Sequence, residues 1–493
     1  MNLASVIANA PDDATALIDG STRLSYGSLR EQVARTAGAL QASALAPGDH
    51  VGILAGNNPS FVVSLLACWH AGMVAVPINH QEPAATLEKY LGLVAPRALL
   101  GGTSQQALDA MTVAQGLGLD LALAATPSGS PTPDLPTADA EPVDCAAQAS
   151  ATTAMLLFTS GVSGRPRPAR LTHGNLSATH AALANRSETQ LTEGTVSLGA
   201  LPMVHILGLN VSVLSTLRTG GTTVLQSHWS PDQTMELIGE YGINTLVLVP
   251  RMWDDLAAVD EISEAALAKV RLARCGAAEL HPSIATRVND RLGLELGQGY
   301  GLTETAGTVT YEPSARLRPG SVGAPLDHVE IRVVDEGDVD AEPGDLGEIW
   351  IRGDCVFGGY HGGDPDSDTA VLDNGWLKTG DIGVIDDGLY IVGREKDMIS
   401  VSGFKISPIE VEEVLEASQE IDEALVVGEP DERTGERVVA YVIPGPTAAV
   451  VTEDLQTHVR DHLARYKVPR DIYVVEELPR NLLGKRIRSA VPR

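Results

Sequence analysis

Four segments combine residue types and spacings suited to phosphate, ribose and metal-ion chemistry. The first runs Thr159-Ser160-Gly161-Val162-Ser163-Gly164-Arg165-Pro166-Arg167-Pro168, directly after the apolar stretch Met155–Phe158. Its glycines permit close backbone approach, and its hydroxyls and N–H groups can surround a phosphate. The GxxxxGK[ST] spacing of a Walker A loop is missing. The second is Gly297-Gln298-Gly299-Tyr300-Gly301-Leu302-Thr303-Glu304-Thr305, where Leu302 stands at the third glycine of a dinucleotide fingerprint. Tyr300 offers a flat face for a base, Thr303 a hydroxyl for phosphate, and Glu304 a hard oxygen ligand for Mg2+. The third is Trp376-Leu377-Lys378-Thr379-Gly380-Asp381, followed by Gly393-Arg394. A carboxylate after a tight turn can accept both hydroxyls of a ribose, and a guanidinium can bind ribose or phosphate oxygens. The fourth, Pro479–Arg488, carries Lys485 on a loop hinged at Gly484. Such a lysine can stabilise charge on transferring phosphate and carboxylate oxygens. Taken singly, the four are a polar turn, a solvated loop carboxylate, a common Thr-Gly-Asp turn and a basic tail.

The elements that must position these residues read as α/β. Apolar, β-branched runs (His50–Leu54, Met73–Ile78, Met155–Phe158, Thr245–Val249) alternate with longer amphipathic segments, which predicts largely parallel strands joined by helices. Residues Thr126–Ser150, rich in Pro, Ala, Ser and Asp, read as a surface excursion. Beyond Asp335 short strands with Gly/Asp turns (Gly347–Arg352, Ile382–Ile385, Leu389–Val392) predict a small β-rich subdomain. After Gly393 the pattern becomes α+β, with helices over Pro408–Ser418 and Glu453–Ala464 and strands over Ala424–Val427 and Val438–Ile443. The expected division is a large domain, 1–394, and a small one, 395–493.

At 493 residues the chain is too long for one compact core. Its net charge of −29, from 35 basic and 64 acidic side chains, argues against nucleic acid or an anionic membrane as the main partner. Cys68, Cys145, Cys275 and Cys355 are too scattered for a zinc site or a CxxC motif and fit a reducing cytoplasm. The N-terminus lacks a secretory signal pattern, and Phe61–Val76 is too short and mixed to span a bilayer.

In this order the segments resemble the adenylate-forming superfamily of acyl-CoA synthetases, peptide-synthetase adenylation domains and luciferases. The resemblance covers essentially the whole chain. It extends to Leu201-Pro-Met-Val-His205-Ile-Leu-Gly208, the stretch Gly393-Arg-Glu-Lys-Asp-Met-Ile-Ser-Val-Ser-Gly-Phe-Lys-Ile-Ser-Pro and the tail His462–Pro469. It implies that ATP converts a carboxylic acid to an acyl-AMP, that a small mobile C-terminal domain then rotates, and that coenzyme A attacks the mixed anhydride. It also implies that Tyr300, between Gly299 and Gly301, stacks on adenine, while Gly276, Ala277 and Ala278 wall the nucleotide and acyl pocket. Asp381 and Arg394 would hold the ribose, Thr303 the α-phosphate and Glu304 Mg2+. Thr159, Ser160, Gly161, Ser163 and Gly164 would form the phosphate loop. His205 would lie beside the acyl pocket, Lys485 would assist adenylation, Lys396 would be the hinge, and Gly403, Phe404 and Lys405 would line the CoA tunnel. A homodimer is a family-level expectation.

The phosphate loop departs from the family pattern. Val162 stands where Ser or Thr is expected, Arg167 where Lys is expected, and Pro168 where Gly is expected. Valine deletes a phosphate donor, and proline removes an N–H and restrains Arg167. The loop serves the departing phosphates of ATP, which leaves two expectations: Arg167 substitutes for lysine and the loop works, or adenylation is impaired while thioesterification is retained, with a separate adenylating enzyme as a partner. The stretch Ile206–Leu214 holds no acidic residue for a substrate ammonium, which points to a non-amino acid. A stand-alone adenylation domain loading a carrier protein and a non-catalytic adenylate-binding protein are the alternatives.

Overall fold

The computed structural model describes all residues except 1, 44, 102–108, 110–111, 115, 118–139, 160–165, 188, 315–317, 319, 336, 363–370, 372–373, 403, 432, 446–449, 481–483 and 492–493. It is a mixed α/β chain that divides into two compact units. Met1–Glu330 with Ile351–Leu377 forms the larger, and Ile331–Trp350 with Lys378–Arg493 the smaller. The boundary expected at 394/395 falls inside the smaller unit, because the hairpin strands Leu377–Ile385 and Leu389–Arg394 cluster with the C-terminal residues.

The larger unit contains two sheets. One runs, in spatial order, Ala98–Gly101, His50–Leu54, Val74–Pro77, Thr153–Thr159 and Arg167–Thr172. Its pairings are parallel except the last, which is antiparallel. The other includes Leu272–Cys275, Thr245–Leu248, Val196–Gly199 and Thr222–Leu225 as consecutive parallel pairs, with the antiparallel pair Gly297–Leu302 and Gly307–Glu312 beside Leu272–Cys275. Strands such as Thr245–Leu248 and Val74–Pro77 are buried at every position, as a parallel sheet covered on both faces requires. The apolar run Phe61–Val76 divides between the buried helix Pro59–His70 and the strand Val74–Pro77; the helix is opened by Asn58, which accepts from the Phe61 N–H, and by a proline at its start. Among the described residues no helix is long and apolar enough to cross a membrane. Residues 140–150 carry no regular element, and the rest of the expected excursion, 126–139, lies outside the described residues.

In the smaller unit Gly435–Pro444 pairs antiparallel with Ile421–Asp431 and parallel with Asp471–Val474. The helices Pro408–Glu416 and Thr452–His462 bury Val411, Leu415, Leu455 and Val459 against one face, with Ala424, Val426, Ala440 and Val442. Leu425, Val427, Val439 and Tyr441 point the other way, where Leu478 and Val491 of the C-terminal tail cover them. The period-2 alternation of these strands therefore both seats the helices and anchors the tail that bears Lys485.

Candidate active site

In the larger unit the second motif forms the strand Gly297–Leu302, the single-turn helix Thr303–Thr305 and the return strand Gly307–Glu312. The two strands approach so closely that a Cβ on Gly301 would stand 1.9 Å from the Gly307 carbonyl oxygen, which restricts that position to glycine. Thr305 closes the turn: its hydroxyl accepts from the Leu302 N–H at 2.9 Å and donates to the Gly307 carbonyl at 2.9 Å. Tyr300, Thr303 and Glu304 are thereby held half-buried at the strand end. Ala277, after the strand Leu272–Cys275, sits in the left-handed region at φ +66, and Ala306 does so at +54. Strained non-glycine backbone of this kind concentrates at ligand sites. The Leu207 side chain lies over Gly276, where a Cβ would meet it at 3.5 Å. Ile206 and Val211 face Gly307. The acid-free stretch is an eight-residue π-helix, Leu207–Leu214, a rare geometry that recurs at functional sites.

His205 precedes that helix. Burial pushes its pKa down to about 4, so the imidazole is neutral at pH 7, and its Nε2 meets no hydrogen-bond partner among the described residues. Of the phosphate loop, residues 160–165 lie outside the described residues. Its flanks are antiparallel partners, with Thr159 opposite Arg167 and Phe158 opposite Pro168. Pro168 sits on an edge strand, which tolerates a missing N–H, and its carbonyl accepts the His361 N–H at 2.8 Å. The Arg167 guanidinium carbon lies 4.3 Å from the centre of the Tyr360 ring, and Tyr360 donates its hydroxyl proton to Glu304 Oε1 at 2.6 Å. Glu304 is a single carboxylate, and among the described residues no group of three or more His, Cys, Asp or Glu could hold a metal alone. That donor set fits Mg2+, which usually binds one or two carboxylates and completes its shell with phosphates and water.

In the smaller unit Asp381 and Arg394 are cross-strand neighbours joined by an ion pair of 2.9 Å. The Asp381 turn is locked by Thr379, whose hydroxyl donates to the Ile349 carbonyl at 2.7 Å and accepts from the Asp381 N–H at 3.0 Å. Asp381 is only 4% exposed. Lys485 keeps exposed surface as a residue, yet the protein crowding its ammonium lowers its pKa. Burial is the main cause, followed by the Arg394 charge, with Asp381 pulling the other way. Lys396 lies in the turn Glu395–Asp397. Phe404 stacks on Tyr466, ring centres 4.6 Å apart, and both are exposed. Gly403 lies outside the described residues.

The sequence reading missed two groups. Tyr360 was not singled out, because its partner Glu304 is 56 residues away. The arginines flanking Lys485 read as a basic tail, yet each is paired. Arg480 pairs with Glu423, Arg486 with Glu416 at 2.7 Å, and Arg488 with the buried Glu412 at 2.6 Å. The Ile487 N–H donates to the Pro479 carbonyl at 2.8 Å and closes the loop. The alternation in Lys485-Arg486-Ile487-Arg488 is the signal that could have shown an extended segment with Arg486 and Arg488 on one side.

The AMP-binding enzyme family matches residues 3–361, and the AMP-binding enzyme C-terminal domain matches residues 410–485. The chain belongs to this family, in its branch of acid–thiol ligases. A feruloyl-CoA synthase of Amycolatopsis sp is 34% identical over 97% of this chain and 96% of its own. An indoleacetate–CoA ligase of Aromatoleum aromaticum is 33% identical over 94% and 91%. Among solved structures, ATP-bound MatB from Rhodopseudomonas palustris superposes with a TM-score of 0.91, at 28% identity, over 99% of this chain and 97% of that one.

Proposed function

We propose that this enzyme makes the CoA thioester of an apolar, non-amino carboxylic acid, an aromatic acid foremost, through an acyl-adenylate, and that thioesterification is its stronger half-reaction. The acid class is supported by the relatives' names and by the apolar, acid-free surface that Leu207, Ile206 and Val211 present around Gly276 and Gly307. Tyr300 offers its ring to adenine and Thr303 its hydroxyl to the α-phosphate of ATP; the Asp381–Arg394 pair can exchange part of its mutual pairing for ribose hydroxyls. Glu304 would hold Mg2+, which would supply neutralisation of phosphate charge. The acid's carboxylate attacks the α-phosphorus, pyrophosphate leaves, and the Lys485 ammonium offsets charge on the oxygens in transfer. The CoA sulfur then attacks the acyl carbon and AMP leaves, with Phe404 and Lys405 beside the thiol's path. Neutral His205 borders the acyl group without bringing a charge into its pocket. The C-terminal segment beyond Lys396 turns about that residue between the two steps.

The observation that carries the imbalance between half-reactions is the Arg167–Tyr360 stack. The loop's cation is engaged with a ring, and Val162 brings no hydroxyl in place of the expected donor. One lost hydrogen bond to the departing phosphates costs on the order of 2–4 kcal/mol, about a hundredfold or more in rate. The test supplies a panel of aromatic, fatty and amino acids with ATP, Mg2+ and CoA, and the matching synthetic adenylates with CoA alone. Thioester from aryl adenylates much faster than from aryl acids supports both parts of the reading. Equal rates refute the imbalance, and a preference for amino acids refutes the acid class.

A further inference from the structure

Arg167, Tyr360 and Glu304 form a chain in which each member is placed by a different element. Arg167 opens the edge strand Arg167–Thr172. Tyr360 is bridged to that strand at Ala169, with the His361 N–H on the Pro168 carbonyl at 2.8 Å and the Arg170 N–H on the Gly359 carbonyl at 3.1 Å. Glu304 is fixed from its backbone side by the Phe357 N–H, which donates to its carbonyl at 2.9 Å. The segment Phe357–His361 therefore joins the phosphate-loop strand to the carboxylate. Phe357 meets the Tyr360 ring edge-on at 4.9 Å between centres, so the ring is pinned while Arg167 covers it at 4.3 Å. Tyr360 is 5% exposed. A cation over a phenol ring draws electron density from it and strengthens the hydroxyl as a donor. That hydroxyl makes a short charge-assisted bond to Glu304 Oε1 at 2.6 Å. Arg167 Nε is buried with no hydrogen-bond partner among the described residues, as expected of a guanidinium placed for its face. Pro168 favours the extended backbone that Arg167 needs to stay there.

We propose that Arg167 is a positioning residue for the metal site: by stacking on Tyr360 it holds the phenol that orients the Glu304 carboxylate for Mg2+. This rests on the reading of Glu304 as the Mg2+ ligand. Arginine in place of lysine then has a positive function, since a flat guanidinium covers a ring face that an ammonium does not. The strand Arg167–Thr172 that follows the phosphate loop and the metal carboxylate become mechanically linked.

The test uses the full-length enzyme in five variants: Arg167→Ala, Arg167→Lys, Tyr360→Phe, the double variant Arg167→Ala with Tyr360→Phe, and Glu304→Gln. Mn2+ binding in the presence of a non-hydrolysable ATP analogue is followed by electron paramagnetic resonance. The Mg2+ dependence of ATP–pyrophosphate exchange is measured beside it. Tyr360→Phe and Arg167→Ala should each weaken Mn2+ binding about tenfold, the scale of one charge-assisted hydrogen bond. The Mg2+ concentration for half-maximal exchange should rise in parallel, with the rate largely recovered at saturating Mg2+. Arg167→Lys should fall between, and the double variant should be no worse than Tyr360→Phe alone. Additive losses, or unchanged Mn2+ affinity in folded single variants, would overturn the relay. Glu304→Gln separates the premise: unchanged Mn2+ affinity there refutes the metal assignment and the relay together, whereas loss confined to Glu304→Gln refutes the relay alone.

Discussion

Replacing Arg488 by methionine removes one charge and keeps most of the side chain's length. In the wild-type protein Arg488 makes two contacts to Glu412, at 2.6 and 2.7 Å, and donates to the Val426 carbonyl at 3.2 Å. Glu412 also accepts the Val426 N–H at 2.7 Å and is only 6% exposed. Burial already pushes its pKa up, and the Arg488 charge is the largest influence holding it down. Without Arg488 the carboxylate is left buried beside a methionine, and the cheapest relief is to take up a proton. That sets a ceiling on the cost. Protonating a carboxyl whose unfolded pKa is about 4.3 requires about 3.7 kcal/mol at pH 7 and about 1 kcal/mol at pH 5. The sign follows from linkage: the folded variant holds a proton that the unfolded chain has released, so its stability rises as pH falls towards 5. Urea unfolding of the full-length protein at both pH values measures the difference from wild type. The same substitution frees one anchor of the Lys485 loop, so ATP–pyrophosphate exchange at pH 7 should fall about tenfold under conditions where the protein is folded. A deficit as large at pH 5 as at pH 7, or undiminished exchange, would refute the anchoring role.

Gly403→Trp should abolish thioester formation while adenylate binding, read by calorimetry with a synthetic adenylate, is nearly retained; equal loss of both removes the tunnel assignment. Lys396→Pro fixes φ at the hinge turn and should leave one half-reaction and stop the other in rapid-mixing experiments, whereas wild-type rates for both place the hinge elsewhere. Burial lowers the His180 pKa to about 4, so the folded state resists a proton that the unfolded chain takes up below about pH 6.5. Its contribution, up to about 3 kcal/mol, is lost as pH falls from 6.5 towards 4. His180→Gln should therefore unfold with a shallower pH dependence in that window, and an unchanged slope counts against the buried neutral imidazole.

How much was legible follows from the range of the interactions. The expected strand His50–Leu54 has the observed bounds, and Thr245–Val249 overshoots by one residue, because buried β-branched runs carry their own signal. The expected strand Ala424–Val427 is the core of Ile421–Asp431; its ends are polar and are extended by pairing with Gly435–Pro444, which local pattern does not reveal. The four motifs were visible because glycine, hydroxyl and charge recur at short spacing. The π-helix after His205 was not, since Ile206–Leu214 shows only an apolar composition. Glu412 and Arg488, 76 residues apart, could be joined only once the sheet put the helix Pro408–Glu416 and the tail beside the same strand. Tyr360 is a comparable case: nothing around it in sequence announces a partner on the turn Thr303–Thr305.

The central claim is that the acid passes through an acyl-adenylate, and the oxygen atoms can be followed directly. The enzyme is given ATP, Mg2+, CoA and an aromatic acid labelled with oxygen-18 in both carboxylate positions, and the products are weighed by mass spectrometry. Attack of the carboxylate on the α-phosphorus predicts AMP that has gained one labelled oxygen, with unlabelled pyrophosphate and a thioester that keeps the other. Label in inorganic phosphate or pyrophosphate, or thioester formed while AMP stays unlabelled, would contradict it.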